Sequence, residues 1–142
     1  MDTILFLCTG NTCRSPMAEG LFRALGGEQS TPLQAGSAGL FTVDGLPASE
    51  NAVLAAAELG ADISAHRSRV LTQDMVEKAR YLVCMTAAHY DRVLAAFPQA
   101  EDKLFTLLPR DISDPYGGDL ETYRRCAAKI REGVAAVIQK LS

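Results

Sequence analysis

Directly after an apolar run at residues 4–7, the chain reads Cys8-Thr9-Gly10-Asn11-Thr12-Cys13-Arg14-Ser15. A cysteine therefore ends a short strand, five residues follow, and an arginine stands where a helix begins. A loop of this length can curl so that its backbone N–H groups converge on one anion, which is how nests of amides hold phosphate. Gly10 and Asn11 tolerate the left-handed backbone conformation that helps a chain to curl. The residues that we expect around the anion are Thr9, Gly10, Asn11, Thr12, Cys13 and Arg14.

Cys8 is the candidate nucleophile of this loop. The guanidinium of Arg14 is a planar, permanently charged fork that suits two phosphate oxygens. Ser15-Pro16 is typical of a helix cap followed by proline at the first helical position. The loop amides, the helix dipole and Arg14 would all stabilise a thiolate at Cys8. The alternatives are an ordinary buried cysteine and a solvated arginine that opposes the helix dipole.

The other three cysteines differ in their surroundings. Cys84 lies in the apolar run at 81–85 and Cys126 lies on the apolar side of the last predicted helix, so we expect both in the core. Cys13 shares the loop of Cys8, which raises the alternative of a zinc site. Only four residues separate these two cysteines and no second Cys/His pair follows at ligand spacing, so we do not expect zinc.

Length and charge restrict the classes of function. With 142 residues, the chain fits one domain, which we place at 1–142; such a domain buries roughly 68% of its unfolded surface. A net charge of −3 gives no electrostatic footprint for nucleic acid or an anionic membrane. No apolar run approaches the roughly 20 residues of a membrane span, and the chain does not start with the basic residues of a secretion signal. We therefore expect a cytoplasmic monomer that binds neither nucleic acid nor membrane.

Short apolar runs alternate with helical patterns along the whole chain, which favours parallel strands covered by helices. We predict strands at 3–8, 33–38, 81–85 and 103–107, and helices at 16–26, 47–59, 72–79, 86–97 and from 119 onward. The expected fold is a single-domain, three-layer α/β sandwich: a four-stranded parallel sheet with helices on both faces. Ligands of such folds bind at the carboxyl ends of the strands, and Cys8 lies at such an end.

Phosphoryl transfer to a cysteine also needs an acid for the leaving atom. Asp114 is a candidate because Pro115 and two glycines shape a tight loop beside it. Asp111 and Asp119 flank the same loop. The residues alone do not choose among the three aspartates.

Two motifs together resemble the low-molecular-weight protein phosphatase family. The first is Cys-x5-Arg-Ser at Cys8, and the second, far along the chain, is Asp114-Pro115-Tyr116-Gly117-Gly118. The resemblance covers nearly the whole chain. It implies that Cys8 is the nucleophile, that Arg14 binds the phosphoryl group and that Asp114 is the acid and then the base. It also implies phosphorylated protein substrates and a reaction without metal or cofactor.

The resemblance assigns supporting residues as well. It implies that Ser15 hydrogen-bonds the thiolate, although this serine could simply cap the helix. Asn11, Ser37 and His66 match positions whose side chains hold the loop in shape. Cys13 matches the family's second loop cysteine, which can trap the oxidised nucleophile as a reversible disulfide and make the enzyme redox-sensitive.

Thr12 bears on the phosphorylated side chain that is accepted. Tyrosine-specific relatives often carry isoleucine here, whereas this chain resembles the protein-arginine-phosphatase subgroup, in which the threonine is implicated in accepting phosphoarginine. A hydroxyl can meet a polar guanidinium that isoleucine would desolvate, although Thr12 could equally just fill space. Tyr116, with Leu40 or Phe41, would form cleft walls that suit a phenol and a guanidinium alike.

Four other functions compete with phosphoarginine hydrolysis. Phosphotyrosine hydrolysis needs the same machinery. Arsenate reduction needs a relay of mobile cysteines, and a phosphocysteine carrier would hand phosphate to another molecule without needing Asp114. A phosphate-binding module without catalysis would not need a nucleophile, an arginine and an acid together.

Overall fold

In a computed structural model that describes residues 2–142, four parallel strands form one sheet. The strands are β1 (Asp2–Cys8), β2 (Leu33–Gly39), β3 (Ala79–Cys84) and β4 (Leu104–Thr106), in the order β2-β1-β3-β4. β1 is central: Phe6 is in register with Ser37 on one side and with Val83 on the other. The predicted four-stranded parallel sheet is confirmed.

Helices cover both faces of this sheet. They are α1 (Arg14–Ala24), α2 (Gly27–Ser30), α3 (Glu50–Glu58), α4 (Gln73–Lys78), α5 (Ala87–Ala96) and α6 (Leu120–Leu141), with a 3₁₀ helix at Pro98–Lys103. One apolar core lies under α1, α3 and α6, and the other lies under α4, α5 and the 3₁₀ helix. None of the helices within residues 2–142 has the length and apolar character that a membrane crossing requires.

The side chains of β1 alternate between the two cores, as a pleated strand requires. Ile4, Phe6 and Cys8 belong to the core under α1, α3 and α6. Leu5 and Leu7 belong to the opposite core. The alternation therefore directs the Cys8 side chain toward the face on which α1 begins.

The start of α1 differs from the prediction. The helix begins at Arg14 with Cys13 as its N-cap, and Cys13 makes no side-chain cap bond. Ser15 is thus inside the first turn instead of capping it, because the Cys13 carbonyl already accepts the Met17 N–H at 3.2 Å. The helix also stops at Ala24 instead of residue 26, and two short elements, α2 and the 3₁₀ helix, were not predicted.

The end of β2 packs tightly against the loop that follows β1. A Cβ atom added to Gly39 would lie 2.8 Å from the Thr9 carbonyl oxygen and 3.1 Å from the Asn11 Cβ. Real Cβ atoms do not approach backbone this closely, so only glycine fits here. This close approach brings the carboxyl ends of β1 and β2 together.

Candidate active site

The loop after β1 and the segment before α6 enclose one cleft of about 200 Å³. Its lining residues are Cys8, Thr9, Gly10, Thr12, Cys13, Arg14, Asp114 and Tyr116. Two motifs that lie a hundred residues apart in the sequence thus meet at the carboxyl end of β1. The structure brings together the predicted nucleophile, arginine and acid.

Arg14 joins the two halves of this cleft. Its side chain is 6% exposed, and Nη1 donates to the carbonyl of Ile112 at 2.9 Å. Nη2 lies 3.6 Å from Oδ2 of Asp114. A guanidinium has five N–H donors, so these contacts leave donors for an anion in the cleft.

The three candidate aspartates have different partners. Asp111 accepts the Ala87 N–H at 2.9 Å, and Asp119 caps α6 by accepting the Thr122 N–H at 2.9 Å. Asp114 lines the cleft instead, with its side chain 52% exposed. Its Oδ1 accepts the Tyr116 N–H at 3.1 Å, which leaves Oδ2 on the side of Arg14. The structure thus separates Asp114 from the other two.

The Cys8 sulfur lies 2.9 Å from Oγ of Ser15. The direction of this bond follows from Asn11, whose Nδ2 donates to Ser15 Oγ at 2.8 Å and to Ser37 Oγ at 3.0 Å. An amide nitrogen only donates, so Ser15 accepts from Asn11 and its own proton is free to point at the sulfur. Ser15 is therefore a hydrogen-bond donor to the Cys8 sulfur.

Asn11 is the conformational centre of the loop. It is fully buried and its φ is 56°, whereas Gly10 is outside the left-handed region, so the curl uses Asn11 alone. Its Oδ1 accepts the Arg69 N–H at 2.9 Å, and its carbonyl bonds to Nε2 of His66 at 2.7 Å. His66 therefore contacts the loop backbone, as expected of a residue that holds the loop in shape.

The side chain of Cys13 contacts residues at the start of α3 and on α6. Its sulfur lies 3.0 Å from Ser49 Oγ at the start of α3 and 3.4 Å from the Tyr123 hydroxyl on α6. Burial, followed by the hydrogen bond to Cys13, raises the pKa of Tyr123 to about 12. Ser49 also donates its N–H to the carbonyl of Thr12 at 2.9 Å. The start of α3 is therefore anchored at two points to the loop at residues 8–14, which we call the phosphate loop.

An apolar groove of about 480 Å³ adjoins the cleft and shares Gly10 and Thr12 with it. The chain after β2 forms its wall and is tied to the loop, since Phe41 donates its N–H to the Thr9 carbonyl at 2.9 Å. Phe41 and Tyr116 are each 76% exposed. Both aromatic residues are therefore available to a side chain that enters the cleft.

Comparisons with known proteins agree with this geometry. A family model described as "Low molecular weight phosphotyrosine protein phosphatase" matches residues 3–142. The chain belongs to that family. It is 39% identical to a protein-arginine-phosphatase of Geobacillus stearothermophilus, over 97% of this chain and 95% of the relative. It is 36% identical to a probable low molecular weight protein-tyrosine-phosphatase, EpsP, of Ralstonia nicotianae, over 99% of this chain and 97% of the relative.

A solved structure from this family bears on the covalent step. It is a mutant of the YwlE arginine phosphatase with a phosphorylated active-site serine. It has a TM-score of 0.92 and 32% identity to this phosphatase, covering 98% of this chain and 95% of the other. A phosphoryl group on the active-site residue supports a phosphocysteine intermediate. The protein is a cysteine-dependent protein phosphatase.

Two of the phosphatase's four cysteines lie outside the cleft. Burial raises the pKa of Cys84 to about 12, and it also raises the pKa of Cys126 to about 12. Both are buried free thiols. The prediction that they are core residues is confirmed.

Sequence reasoning missed several residues that support the loop of this phosphatase. Ser37 Oγ, which accepts from Asn11, donates to Glu19 Oε1 at 2.6 Å, and the Arg69 side chain donates to the Ser37 carbonyl at 3.2 Å. Glu19 lies four residues after Ser15, which is one helical turn along α1. That spacing was the available signal for Glu19. The others missed are Ser49, Arg69, His89 and Tyr123.

Proposed function

We propose that this phosphatase removes the phosphoryl group from phosphoarginine in proteins, with Cys8, Arg14 and Asp114 as its catalytic residues. The observation that carries the proposal is the lining of the cleft, where Thr12 stands beside these three residues. The likeness to a protein-arginine-phosphatase over 97% of the chain supports the same substrate.

In the first step, the Cys8 thiolate attacks phosphorus. A P–S bond forms while the P–N bond to the guanidinium breaks, and Asp114 donates a proton to the departing nitrogen. Arg14 and the loop amides stabilise the negative charge on the three oxygens, as preorganised donors do in other sites that bind a developing oxyanion. The distance of 3.6 Å between Arg14 Nη2 and Asp114 Oδ2 supports Asp114 as the acid, because Arg14 is the proposed ligand of the phosphoryl group.

In the second step, water attacks the phosphocysteine. Asp114, now a carboxylate, accepts a proton from the water as the P–S bond breaks and the Cys8 thiolate is released. The hydrogen bond from Ser15 at 2.9 Å stabilises the sulfur as it departs. Proton transfer of this kind is typically worth about 10² to 10⁴ in rate.

Thr12 is proposed as the residue that accepts the guanidinium. Its hydroxyl lies 3.8 Å from the Cys13 sulfur, which is a weak contact, so this hydroxyl remains available to a ligand. Its backbone is fixed by the bond from Ser49. Isoleucine here would bury a polar guanidinium against a methyl group without a compensating hydrogen bond.

Paired substrates test this proposal. Phosphoarginine and phosphotyrosine are placed in the same peptide, and kcat/KM is measured for the wild type, Thr12→Val and Thr12→Ile. Thr12→Val removes only the hydroxyl, while Thr12→Ile also adds bulk. We expect the wild type to prefer phosphoarginine and both variants to shift the preference toward phosphotyrosine by roughly 10-fold, the value of one hydrogen bond. An unchanged ratio in both variants would show that Thr12 does not select the substrate.

Phosphotyrosine is the second candidate substrate, and aromatic residues of the cleft and of the adjoining groove are compatible with it. Phe41 and Tyr116 expose aromatic faces against which a phenol ring packs well. Arsenate reduction has less support. The cysteines beyond the loop, Cys84 and Cys126, are buried thiols and not a mobile relay.

The cellular properties are proposals as well: a cytoplasmic, monomeric and redox-sensitive enzyme whose single domain spans residues 1–142. Peroxide would oxidise the Cys8 thiolate to a sulfenic acid, and the Cys13 thiol would then displace water to form a disulfide. A cellular thiol would reduce that disulfide and restore the nucleophile. The presence of both sulfurs in one loop supports this cycle.

A further inference from the structure

His89 contacts the phosphate loop from α5, which covers the face of the sheet opposite to α1. It lies in the first turn of α5, where its N–H is bonded to the Thr86 hydroxyl at 3.1 Å. Its side chain is buried, with 6% of the residue exposed, and Nε2 lies 2.8 Å from Oγ1 of Thr9. This bond joins residues that are 80 positions apart, and neither motif of the sequence predicts it.

The other ring nitrogen of His89 fixes the direction of this bond. Nδ1 is buried and has no partner among residues 2–142. Burying an N–H without an acceptor costs more free energy than burying a ring nitrogen whose lone pair has no donor. The proton of the neutral ring therefore belongs on Nε2. His89 therefore donates to Thr9, and the hydroxyl proton of Thr9 is left free.

The charge environment keeps the His89 ring neutral. Burial lowers its pKa to about 4, with further lowering by Arg14 and Arg92 that outweighs the opposite effect of Asp111 and Asp114. A neutral ring can hold the single-donor arrangement described above, whereas an imidazolium would carry a second, unpartnered N–H.

Thr9 connects the hydrogen bond from His89 to the cleft. It directly follows Cys8 and lines the cleft, and its backbone carbonyl is fixed by the Phe41 N–H. With its oxygen held by His89, the hydroxyl has one proton left to donate. The acceptor that the cleft is built to hold is a phosphoryl oxygen.

We propose that His89 is a positioning residue that orients the Thr9 hydroxyl as a hydrogen-bond donor to the bound phosphoryl group. The inference rests on the proposed function only in that the cleft binds a phosphoryl group; it applies equally to phosphoarginine and phosphotyrosine. Thr9 would thus add a side-chain donor to the backbone amides and Arg14.

A double-mutant cycle tests the pair, with binding of orthophosphate as the readout. His89→Leu and Thr9→Val each remove one side of the bond. We expect each variant to weaken phosphate binding and to lower kcat/KM by roughly 10-fold, the effect of losing a hydrogen bond to a charged group. The double variant should lose little more than either single variant, because the two residues act through one contact.

Two conservative variants and one matched control complete the design. His89→Gln keeps a donor at the end of the side chain and Thr9→Ser keeps the hydroxyl, so both should recover most of the phosphate affinity. Thr106→Val makes the same chemical change at an exposed threonine of β4, outside the cleft, and should leave phosphate binding unchanged. Melting temperatures report any general loss of stability.

Three results would overturn the pairing: no change in phosphate affinity in either single variant, losses that simply add in the double variant, or no recovery in His89→Gln. A lower melting temperature of His89→Leu with unchanged phosphate affinity would show that His89 has a purely structural role. These outcomes are independent of the substrate. A wild-type enzyme that preferred phosphotyrosine would refute phosphoarginine as substrate while leaving the pair intact.

Discussion

Replacing Asn11 measures how much the contacts and the conformation of this residue in the phosphate loop contribute to the free energy of unfolding. Its side chain makes three hydrogen bonds, to Ser15, Ser37 and the Arg69 backbone, and its φ of 56° is in the left-handed region. Asn11→Ala removes these bonds at about 1 kcal/mol each. It also places alanine in a conformation that costs it about 1 kcal/mol more than asparagine. The expected loss in unfolding free energy is about 4 kcal/mol.

Asn11→Gly separates the two contributions. Glycine loses the same three hydrogen bonds but adopts the positive φ without strain. We therefore expect Asn11→Gly to be more stable than Asn11→Ala by about 1 kcal/mol, the reverse of the usual order of these two residues in a folded chain. Urea unfolding of the wild type and both variants gives the three free energies.

Two results of this experiment would refute the reasoning. A loss below about 1 kcal/mol in Asn11→Ala would mean that the hydrogen bonds of the buried amide are replaced by water or contribute little. A glycine variant that is less stable than the alanine variant would mean that the loop does not hold residue 11 in the left-handed region.

Three further predictions concern acid catalysis, pH and oxidation. Asp114→Asn should lower kcat most for substrates with poor leaving groups, and equal losses across a series of aryl phosphates would remove it as the acid. For His89 the folded pKa of about 4 lies below the ordinary 6.5, so the unfolded chain binds the extra proton first as the pH falls. The His89 contribution to the unfolding free energy should therefore fall by about 2 to 3 kcal/mol between pH 6.5 and 4. His89→Gln should lose that much less than the wild type over this range, and identical pH profiles of urea unfolding in the two proteins would contradict this. Peroxide should inactivate the wild type reversibly and Cys13→Ser irreversibly, and equal recovery with added thiol in the two would exclude Cys13 as the resolving cysteine.

The central sheet and the nucleophile loop were predictable because their signals are local. The apolar run before Cys8, the five-residue interval and Arg14 all lie in one short segment, and the amphipathic pattern of α6 spans 22 residues. The predicted helix starts at residues 72, 86 and 119 are the N-caps of α4, α5 and α6.

The supporting contacts were not predictable because they join distant parts of the chain. Nothing near Ser49 or Tyr123 indicates that both meet Cys13, which lies 36 and 110 positions away. The prediction that Ser15 caps α1 was wrong for a related reason, whereas its implied hydrogen bond with Cys8 is present. A serine before proline is typical of a helix cap, but here its hydroxyl bonds to Cys8 and Asn11, which are brought to it by the curl of the loop.

The substrate preference was only partly predictable from the sequence. Thr12 is visible in the sequence and lines the cleft. The aromatic residues nearby, Phe41 and Tyr116, are exposed, and an aromatic face suits a phenol and a guanidinium alike. The proposed choice between the two substrates therefore rests on the hydroxyl of Thr12.

The most direct test of the mechanism is alkylation of Cys8 at neutral pH, measured by mass spectrometry with and without orthophosphate. The Cys13→Ser variant serves as background so that only one loop thiol reacts. We expect Cys8 to be alkylated in the free enzyme and the reaction to slow markedly when orthophosphate occupies the cleft. Alkylation of Cys8 at the same rate with and without orthophosphate would contradict the account.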